Sequence, residues 1–251
     1  MSIEQLREDL SHRIETKLKE LGANFVRFVD ITNLSSDNNN YLNAILFGIN
    51  LSPDYLQNVM NTPDYVQAMI RNNRDFSNDE FYLTELRTGE IADKIARFLI
   101  DNGYKAHSHS DKNQIDTGFF DEINLTTPLP HKTIARIAGI GWIGKNNLLV
   151  TPKFGCALCL GVVITDAPFK IISYHPVQSK CNDCNICVEV CEPKVLKGHV
   201  WNLKTQREDM LNVHKCTTCF NCLIYCPWTQ NYIKDGLKLN RPDTDIKMKD
   251  L

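Results

Sequence analysis

Eight of the ten cysteines of this 251-residue chain fall within one stretch of its C-terminal third. They form two runs of the pattern CxxCxxCxxxC: Cys181, Cys184, Cys187 and Cys191, then Cys216, Cys219, Cys222 and Cys226. A compact CxxCxxC loop can place three thiolates on the corners of one 4Fe–4S cubane. The fourth cysteine of each run lies too far along to close the same cubane, and in two-cluster ferredoxins it ligates the other cluster. The spacing therefore predicts two 4Fe–4S clusters.

The crossed pattern assigns four ligands to each cluster. The first cysteine set is Cys181, Cys184, Cys187 and Cys226, and the second cysteine set is Cys191, Cys216, Cys219 and Cys222. Pro227 follows the last cysteine as in the ferredoxin pattern, whereas Pro193 comes one position late after Cys191. Two zinc sites are the competing interpretation. Structural zinc usually takes two CxxC-type pairs separated by a longer loop, so the two uninterrupted runs favour iron–sulfur clusters.

Two further cysteines, Cys156 and Cys159, lie in or beside an apolar strand. Free cysteines are among the most buried residues, so a packing role is favoured for this pair. A redox pair, or a site that faces a cofactor, is the alternative.

A glycine-rich segment from Gly139 to Asn146 matches the pattern GxGxxG. Nucleotide binding by such a motif needs a strand before the glycines and a helix after them. Here the order is reversed, because residues 133–138 are helical in pattern and residues 147–150 strand-like. Asn146 also stands where a P-loop needs a Ser or Thr hydroxyl. We exclude nucleotide binding by this segment, which predicts either backbone close to a large flat group or a tight turn packed under Trp142.

The elements that must position these residues mix helices and strands. Residues 2–22 predict an amphipathic helix with a capping box at Ser2 and Gln5. Two short helices are predicted to start at Ser52 and Thr62, and a longer one runs from Ser77, capped by Ser77 and Glu80, to about Asn102. Strands are predicted at 25–31, 41–49, 158–165 and 169–174, with a polar turn at 37–40.

These elements lack a regular βαβ rhythm, which favours the α+β class. A polar, proline-containing connector at 175–180 separates them from the cysteine-rich segment. We expect an α+β domain over residues 1–175, a ferredoxin-like domain with two 4Fe–4S clusters over 176–236, and a loosely ordered tail over 237–251.

Composition indicates an ordinary globular protein, with 43% hydrophobic residues and a formal charge of −2. That charge gives no overall attraction to nucleic acid or membrane. The N-terminal twenty residues lack the apolar core of a signal peptide, and no apolar run approaches the ~18–20 residues that span a bilayer. The sequence therefore predicts a cytoplasmic protein without membrane contact, in which reduced thiols serve as metal ligands.

Three segments together resemble the epoxyqueuosine reductase family: Pro128 to Lys132, Ala138 to Asn146, and the run Thr151-Pro152 with Gly155. The resemblance covers about residues 80–232. In that family a similar segment precedes a two-cluster ferredoxin module that ends, as here, in Cys226-Pro227-Trp228. The resemblance implies a nitroreductase-like first domain and cobalamin held between it and the clusters, as in the related reductive dehalogenases. The residues it places on the cobalamin side are Lys132, Gly141, Trp142, Gly144, Lys145, Leu149 and Leu160.

Two departures from the family pattern bear on chemistry and substrate. Leu125 stands where the family carries a proton-donating aspartate, and His131-Lys132 replaces an acidic residue followed by arginine. His131 is the predicted replacement proton donor, since its ordinary pKa lies near neutrality. A surface histidine that caps a helix is the alternative. Family members that reduce tRNA continue into a helical-repeat domain, so we expect a short paralogue for which a tRNA substrate is less favoured.

The function expected from these observations is a cobalamin-dependent reductase of unidentified substrate. Its electrons would come from an external donor such as ferredoxin or flavodoxin and pass through the two clusters. The alternative is a ferredoxin-like electron-transfer protein that serves a partner redox enzyme. A purely structural role for the clusters ranks third, because paired clusters suit an electron relay.

Overall fold

The computed structural model describes residues 2–34, 41–71, 76–202 and 204–239. Its strands are β1 (Phe25–Asp30), β2 (Asn43–Asn50), β3 (Ala106–Ser108), β4 (Trp142–Ile143), β5 (Leu149–Val150) and β6 (Leu158–Thr165). Its helices are α1 (Ile3–Glu20), α2 (Pro53–Asn61), α3 (Tyr65–Arg71), α4 (Glu80–Asp101), α5 (Asp111–Asp116), α6 (His131–Ile137), α7 (Ile186–Glu189), α8 (Arg207–Met210), α9 (Asn221–Ile224) and α10 (Pro227–Leu239). This mixture of elements is the α+β arrangement that the sequence predicts.

A four-stranded antiparallel sheet with the order β1-β2-β6-β3 forms the centre of the larger part of the molecule. The strands β2 and β6 pair along their full lengths, from Asn43 opposite Thr165 to Asn50 opposite Leu158. The short β3 covers only Val163 to Thr165 of β6, and the His109 amide extends the pairing to the Val162 carbonyl. On that edge, the N-terminal half of β6, residues 158–161, extends past the end of β3.

Helices cover both faces of this sheet. On one face, the buried side chains of α1 and α4 pack against β2 and β6, as Leu10, Ile14 and Leu18 do in α1. On the other face, α6 contributes Ile134 and Ala135 to a second buried cluster. The helix α1 begins with the predicted capping box, in which the Ser2 hydroxyl accepts from the Gln5 amide and the Gln5 side chain accepts from the Ser2 amide.

The start of α4 differs from the prediction. The N-cap is Asp79, whose carboxylate accepts from the Tyr82 amide at 3.0 Å, and residues Phe76–Asn78 form a 3₁₀ turn before it. The predicted cap at Ser77 is therefore wrong by two residues. Asp79 is buried and also accepts from the Tyr55 hydroxyl at 3.1 Å. A contact from α2, distant in sequence, thus fixes where α4 begins.

The predicted strand at 169–174 is also wrong, since these residues carry no strand pairing. Phe169 stacks on Phe28 with ring centroids 4.6 Å apart, and the Lys170 amide donates to the Ser11 hydroxyl. Ile172 is 60% exposed. The segment therefore crosses from the sheet toward α1 instead of joining the sheet.

The cysteine-rich part packs directly on the larger part. The shared core joins Leu51, Leu56 and Val59 around α2 to Leu223 of α9 and Ile233 of α10. The segment between the two cysteine runs, residues 192–215, is named here the insert. It forms a small core of its own around Val195, Leu196, Met210 and Leu211.

The predicted tail and turn overlap the described residues only in part. Residues 237–239 belong to α10, so the helix continues past the predicted domain end at 236. The remaining tail residues, 240–251, and the predicted turn at 37–40 lie outside the described residues. Among the described helices, none has both the length and the apolar character needed to cross a bilayer.

Candidate functional site

The four thiols of the first cysteine set line one cavity of about 130 Å³. The other residues around it are Lys145, Asn146, Val150, Lys180, Pro227 and Trp228. Burial, together with the neighbouring thiols Cys181, Cys226 and Cys184, raises the pKa of Cys187 to about 11. The fold thus brings Cys226 back to the loop that carries the other three.

The second cysteine set is also brought together. Burial, together with nearby thiols that include Cys219, Cys216 and Cys191, raises the pKa of Cys222 to about 12. Cys216 is exposed, whereas Cys191 is buried. In the described ranges, no three His, Cys, Asp or Glu side chains converge in the manner of ligands to a single metal ion.

The glycine-rich segment forms the surface on which the first cysteine loop docks. Its β4–β5 hairpin is tight, because a Cβ on Gly141 would lie 2.1 Å from the Val150 carbonyl oxygen. Lys145 is only 7% exposed. Its Nζ donates to the Asn182 carbonyl at 2.8 Å, the Cys184 carbonyl at 3.0 Å and Asn185 Oδ1 at 2.9 Å. Lys145 therefore holds the first loop in place by three charge-assisted hydrogen bonds.

Asn146 ties both cysteine loops to the same hairpin. Its Nδ2 donates to the Cys222 carbonyl at 3.0 Å and to Cys156 Sγ at 3.4 Å, while its Oδ1 accepts from the Leu148 amide. Trp142 is 1% exposed and packs edge-on against Trp228 with centroids 5.1 Å apart. The tight turn packed under Trp142 is thus the arrangement found, and its contacts are with the cysteine-rich part.

The other residues predicted on the cobalamin side occupy different surroundings. Leu149 is buried in the core beneath α6, and Gly144 lies against the Asn146 side chain. Leu160, on β6, lines a separate cleft. Lys132 Nζ donates to the Asn147 carbonyl and side chain at 3.0 and 2.7 Å. Burial lowers the pKa of Lys132 to about 8.

The cleft lined by Leu160 has a volume of about 500 Å³ and runs from the N-terminal half of α4 to the uncovered edge of β6. Phe81, Leu86 and Leu160 are among its apolar walls. Its charged and titratable lining comprises Glu85, Glu90, Asp93, His109, Asp111, Lys112 and His131. The cleft therefore combines an apolar wall with several groups able to exchange hydrogen bonds or protons.

Two histidines meet in this cleft. The rings of His109 and His131 stack with centroids 5.6 Å apart and an interplanar angle of 20°. His109 is 2% exposed, and within the described residues neither of its ring nitrogens has a hydrogen-bond partner, nor has Nε2 of His131. Burial lowers the pKa of both histidines. His131 is thus a half-buried wall of the cleft and not a surface cap, and its partner His109 was not identified from the sequence.

The segment from Cys156 to Cys159 connects the cavity of the first cysteine set to the cleft. The thiol of Cys156 lies beside that of Cys226, and this contact together with burial raises the pKa of Cys156. Three residues later, Cys159 lies beside Glu85, which lines the cleft, and burial together with this carboxylate raises the pKa of Cys159. Three residues span at most about 11 Å of extended chain. Both cysteines are buried, as their predicted packing role requires.

The loop that carries Leu125 is held by the insert. Leu125 is 39% exposed and has a left-handed backbone with φ of 52°. Arg207 donates from Nη1 to the Leu125 carbonyl and from Nη2 to the Asn124 carbonyl, each at 2.5 Å. The insert thus sets the position of the loop in which the family carries its aspartate.

Part of the chain is similar in sequence to known proteins. No family model matches the chain. An epoxyqueuosine reductase of Listeria monocytogenes is 29% identical over 149 residues, which are 54% of this chain and 36% of that protein. The chain is a relative of the epoxyqueuosine reductases. The segments matched in curated epoxyqueuosine reductases amount to between 18% and 48% of those proteins' own length.

Solved structures share the fold at low sequence identity. An epoxyqueuosine reductase bound to an epoxyqueuosine-modified tRNA-Tyr stem loop superposes with a TM-score of 0.57 at 14% identity, covering 89% of this chain and 66% of that one. A reductive dehalogenase, whose structure suggests a mechanism for B12-dependent dehalogenation, superposes with a TM-score of 0.65 at 18% identity. It covers 93% of this chain, which in turn covers 34% of the dehalogenase.

Proposed function

We propose that this relative of the epoxyqueuosine reductases is an iron–sulfur, corrinoid-dependent reductase. In this proposal a nitroreductase-like part is followed by a ferredoxin-like part, and each cysteine set ligates one 4Fe–4S cluster. The observation that carries the proposal is the short segment Cys156–Cys159, which contacts Cys226 at one end and the cleft residue Glu85 at the other. It gives the first cysteine set a short route to a cleft with titratable walls.

The residues present fit both groups. Four thiols around one cavity suit a cubane, which needs one thiolate on each iron. A corrin ring presents a broad apolar surface edged by amide side chains. The cleft offers an apolar wall at Leu160 and, on His109 and His131, buried nitrogens without partners among the described residues. When bound, the clusters would supply single electrons and the corrinoid a reducing cobalt centre.

The chain's own residues supply orientation, exclusion of water and a proton. Trp142, Lys145 and Leu149 hold the hairpin and the first cysteine loop in register with the cleft. His131 is the proposed proton donor. Burial lowers the pKa of His131, so its imidazolium form is less populated near pH 7 but is a stronger acid, and that form would donate the proton and leave neutral imidazole.

The proposed electron donor and substrate class follow from the exposure of the cysteines, the charges of the cleft and the structural relatives. A soluble one-electron carrier such as ferredoxin or flavodoxin would reduce the more exposed second cysteine set's cluster, and reduced thiols favour the cytoplasm. The structural relative described above binds a tRNA stem loop. Here the cleft lining contains four carboxylates and one lysine. That balance opposes a phosphate-rich substrate at this opening and favours a neutral or cationic one.

Anaerobic titration of the reconstituted protein with cob(II)alamin, followed by optical and EPR spectroscopy, tests the proposal. We expect stoichiometric binding with a changed axial environment of the cobalt. Leu160→Trp should weaken binding by filling the cleft. The matched control is Leu42→Trp, since Leu42 is 47% exposed and lines a different surface depression. Intact cluster signals without cobalamin binding would leave an electron-transfer protein instead.

A further inference from the structure

The loop of residues 121–126 is a turn closed at its base by hydrogen bonds. The amides of Asp121 and Thr126 each donate to the carbonyl of the other residue, at 2.8 and 3.2 Å. The Asp121 carboxylate also accepts from the amide and the side chain of Asn124, at 3.0 and 2.6 Å. Leu125 within this turn has a left-handed backbone, which a residue with a Cβ rarely adopts. Such a conformation persists where the surrounding structure holds it.

Arg207 of the insert holds this turn from outside, through the carbonyls of Leu125 and Asn124. The same guanidinium is fixed on its other side by Glu208, whose Oε1 accepts from Nη2 at 3.0 Å and from Nε at 3.3 Å. The Arg207 side chain is only 19% exposed. A planar guanidinium presents several donors in a fixed geometry, whereas an ammonium group is a single point charge. Two carbonyls and one carboxylate therefore define the position of Arg207.

The insert that carries Arg207 begins and ends at the second cysteine set. Cys191 directly precedes it and Cys216 directly follows it. Between them the insert is a compact unit, in which the Lys197 amide donates to the Met210 carbonyl at 2.9 Å above the small core described earlier. In the proposed ligation both flanking cysteines bind one cluster. Binding of that cluster would therefore fix both ends of the unit from which Arg207 projects.

The 121–126 loop leaves and returns to the chain beside His109. The ring of Phe119, before the loop, lies 6.4 Å from that of His109 between centroids, and the ring of His131, after the loop, lies 5.6 Å from it. The return path contains Pro128 and Pro130. Proline fixes its own φ and restricts the preceding residue to extended conformations, so this path is stiff. Displacement of the loop would separate the two rings and uncover His109, which is 2% exposed.

We propose that Arg207 is a positioning residue that latches the 121–126 loop to the insert, so that a cluster bound by the second cysteine set keeps His109 shielded beside His131. The histidine side of the cleft is then closed to bulk water only in a chain whose electron-entry centre is complete. The inference rests on the ligation of the second cysteine set in the proposed function, but it does not require a corrinoid.

The test is anaerobic labelling of histidines with diethyl pyrocarbonate in the reconstituted full-length chain without cobalamin, read by mass spectrometry. The exposed His12 of α1 is the internal standard. In Arg207→Ala, we expect His109 to react about tenfold faster, because loss of hydrogen bonds from a charged group shifts a local opening equilibrium by about that factor. Hydrogen exchange should accelerate at the amides of the 121–126 loop and stay unchanged in α1, with iron and sulfide content equal to wild type.

Three further variants separate this role from general loosening. Arg207→Lys keeps the charge but loses the planar pair of donors, so its labelling rate should be intermediate. Lys197→Ala is the matched control, because Lys197 also belongs to the insert but its Nζ donates to the Glu208 carbonyl within it. It should leave His109 protected. Cys216→Ala should lower the iron content and uncover His109 as Arg207→Ala does.

Four results would overturn the inference. Unchanged labelling of His109 in Arg207→Ala would show that the loop needs no latch. Loss of iron from that variant would mean that the loop holds the cluster and not the reverse. An equal rise in Lys197→Ala would show that any loosening of the insert uncovers His109. A Cys216→Ala variant that loses iron but keeps His109 protected would contradict the link to the second cysteine set.

The proposed function fails in a different way. A Cys216→Ala variant with the full iron content of wild type would contradict the proposed ligation, whatever the labelling of His109. A wild-type chain with a protected His109 that fails to bind cobalamin would contradict only the corrinoid proposal.

Discussion

The two cysteine sets are drawn from runs with one spacing pattern but differ in how the rest of the chain holds them. The first set faces the hairpin that contains Lys145 and Asn146, and its last member, Cys226, is buried at the start of α10. The second set includes the exposed Cys216. Its loop is tied to the larger part by fewer hydrogen bonds, such as the one from Asn146 to the Cys222 carbonyl.

Under the proposed function, this difference would give the two clusters different roles in electron transfer. A group beside the cleft must keep a constant distance and orientation, because electron delivery depends on both. A group that receives electrons from a carrier must instead be reachable from solvent. The first set meets the former requirement and the second set the latter, although the two cysteine runs that supply them have the same pattern.

Removal of one cysteine from each set should have the largest effect and should distinguish the two sets. Both Cys226→Ser and Cys216→Ser should lower iron content by about half. Cys226→Ser should lower the thermal unfolding midpoint much further, because Cys226 is buried at the start of α10 whereas Cys216 is exposed. Iron analysis together with anaerobic thermal unfolding checks this. Equal melting temperatures of the two variants would contradict the difference in anchoring.

Lys145→Met should give the next largest effect. It leaves the Asn182 and Cys184 carbonyls without their buried donor, at a cost of about 3 kcal/mol. For a chain of this size that corresponds to a melting temperature lower by about 6–12 °C. The matched control is Lys194→Met in the insert, where the exposed Lys194 donates to the Glu189 carbonyl. Its effect should stay within about 0.5 kcal/mol.

The burial of Lys132 predicts that the stability difference between wild type and Lys132→Met depends on pH. Its folded pKa of about 8 lies below the ordinary 10.5, so between these values the unfolded chain binds more protons than the folded one. Its contribution to stability therefore rises with pH from 8 to 10.5. Lys132→Met should remove this rise, changing the stability difference from wild type by about 2 kcal/mol across the window.

Anaerobic unfolding of wild type and Lys132→Met at pH 7.5 and pH 10.5 measures this difference. Lys153→Met serves as the control, since Lys153 is exposed on the surface. If the stability difference between wild type and Lys132→Met is the same at both pH values, the result contradicts the burial of the Lys132 ammonium group.

The smallest expected effect concerns the insert. Arg136 on α6 lies over the Trp201 ring, with its guanidinium carbon 4.8 Å from the ring centroid. Arg136→Ala should cost about 0.5–1 kcal/mol, and Arg136→Lys, which keeps a cation, should cost less. Melting temperature and Trp fluorescence check this. A loss as large as that of Lys145→Met would mean that the insert is held as firmly as the first cysteine loop.

Local patterns predicted much of the fold. The capping box of α1, the strands β1, β2 and β6, and the reversed order around the glycine-rich segment all follow from residues adjacent in the chain. The crossed grouping of the thiols is also local in origin, because loop length limits which cysteines can meet. Features that depend on distant partners were missed. Asp79 replaced Ser77 as the cap of α4 because Tyr55 of α2 donates to it.

In the candidate site, too, the features that depend on partners distant in sequence were missed. The sequence analysis placed Lys145 on the cobalamin side and missed that it holds the first cysteine loop, because its three acceptors lie about 40 positions later in the chain. His109 has no motif of its own. Its significance comes from stacking on His131, which β3 and α6 bring together only in the folded chain. The alternation His107-Ser108-His109 at the end of a strand was the available signal.

The exchange of Cys191 and Cys226 between loops has a consequence for biosynthesis. In the proposed ligation neither cubane can be completed from one run, so the first site would stay open until the ribosome has released the start of α10. Closing it would join Cys181 to Cys226 across the whole insert and couple metal incorporation to folding. Maturation of the chain is then expected to be all-or-none: a truncation shortly before Cys226 should yield a polypeptide that retains neither a full complement of iron nor a closed interface with α2.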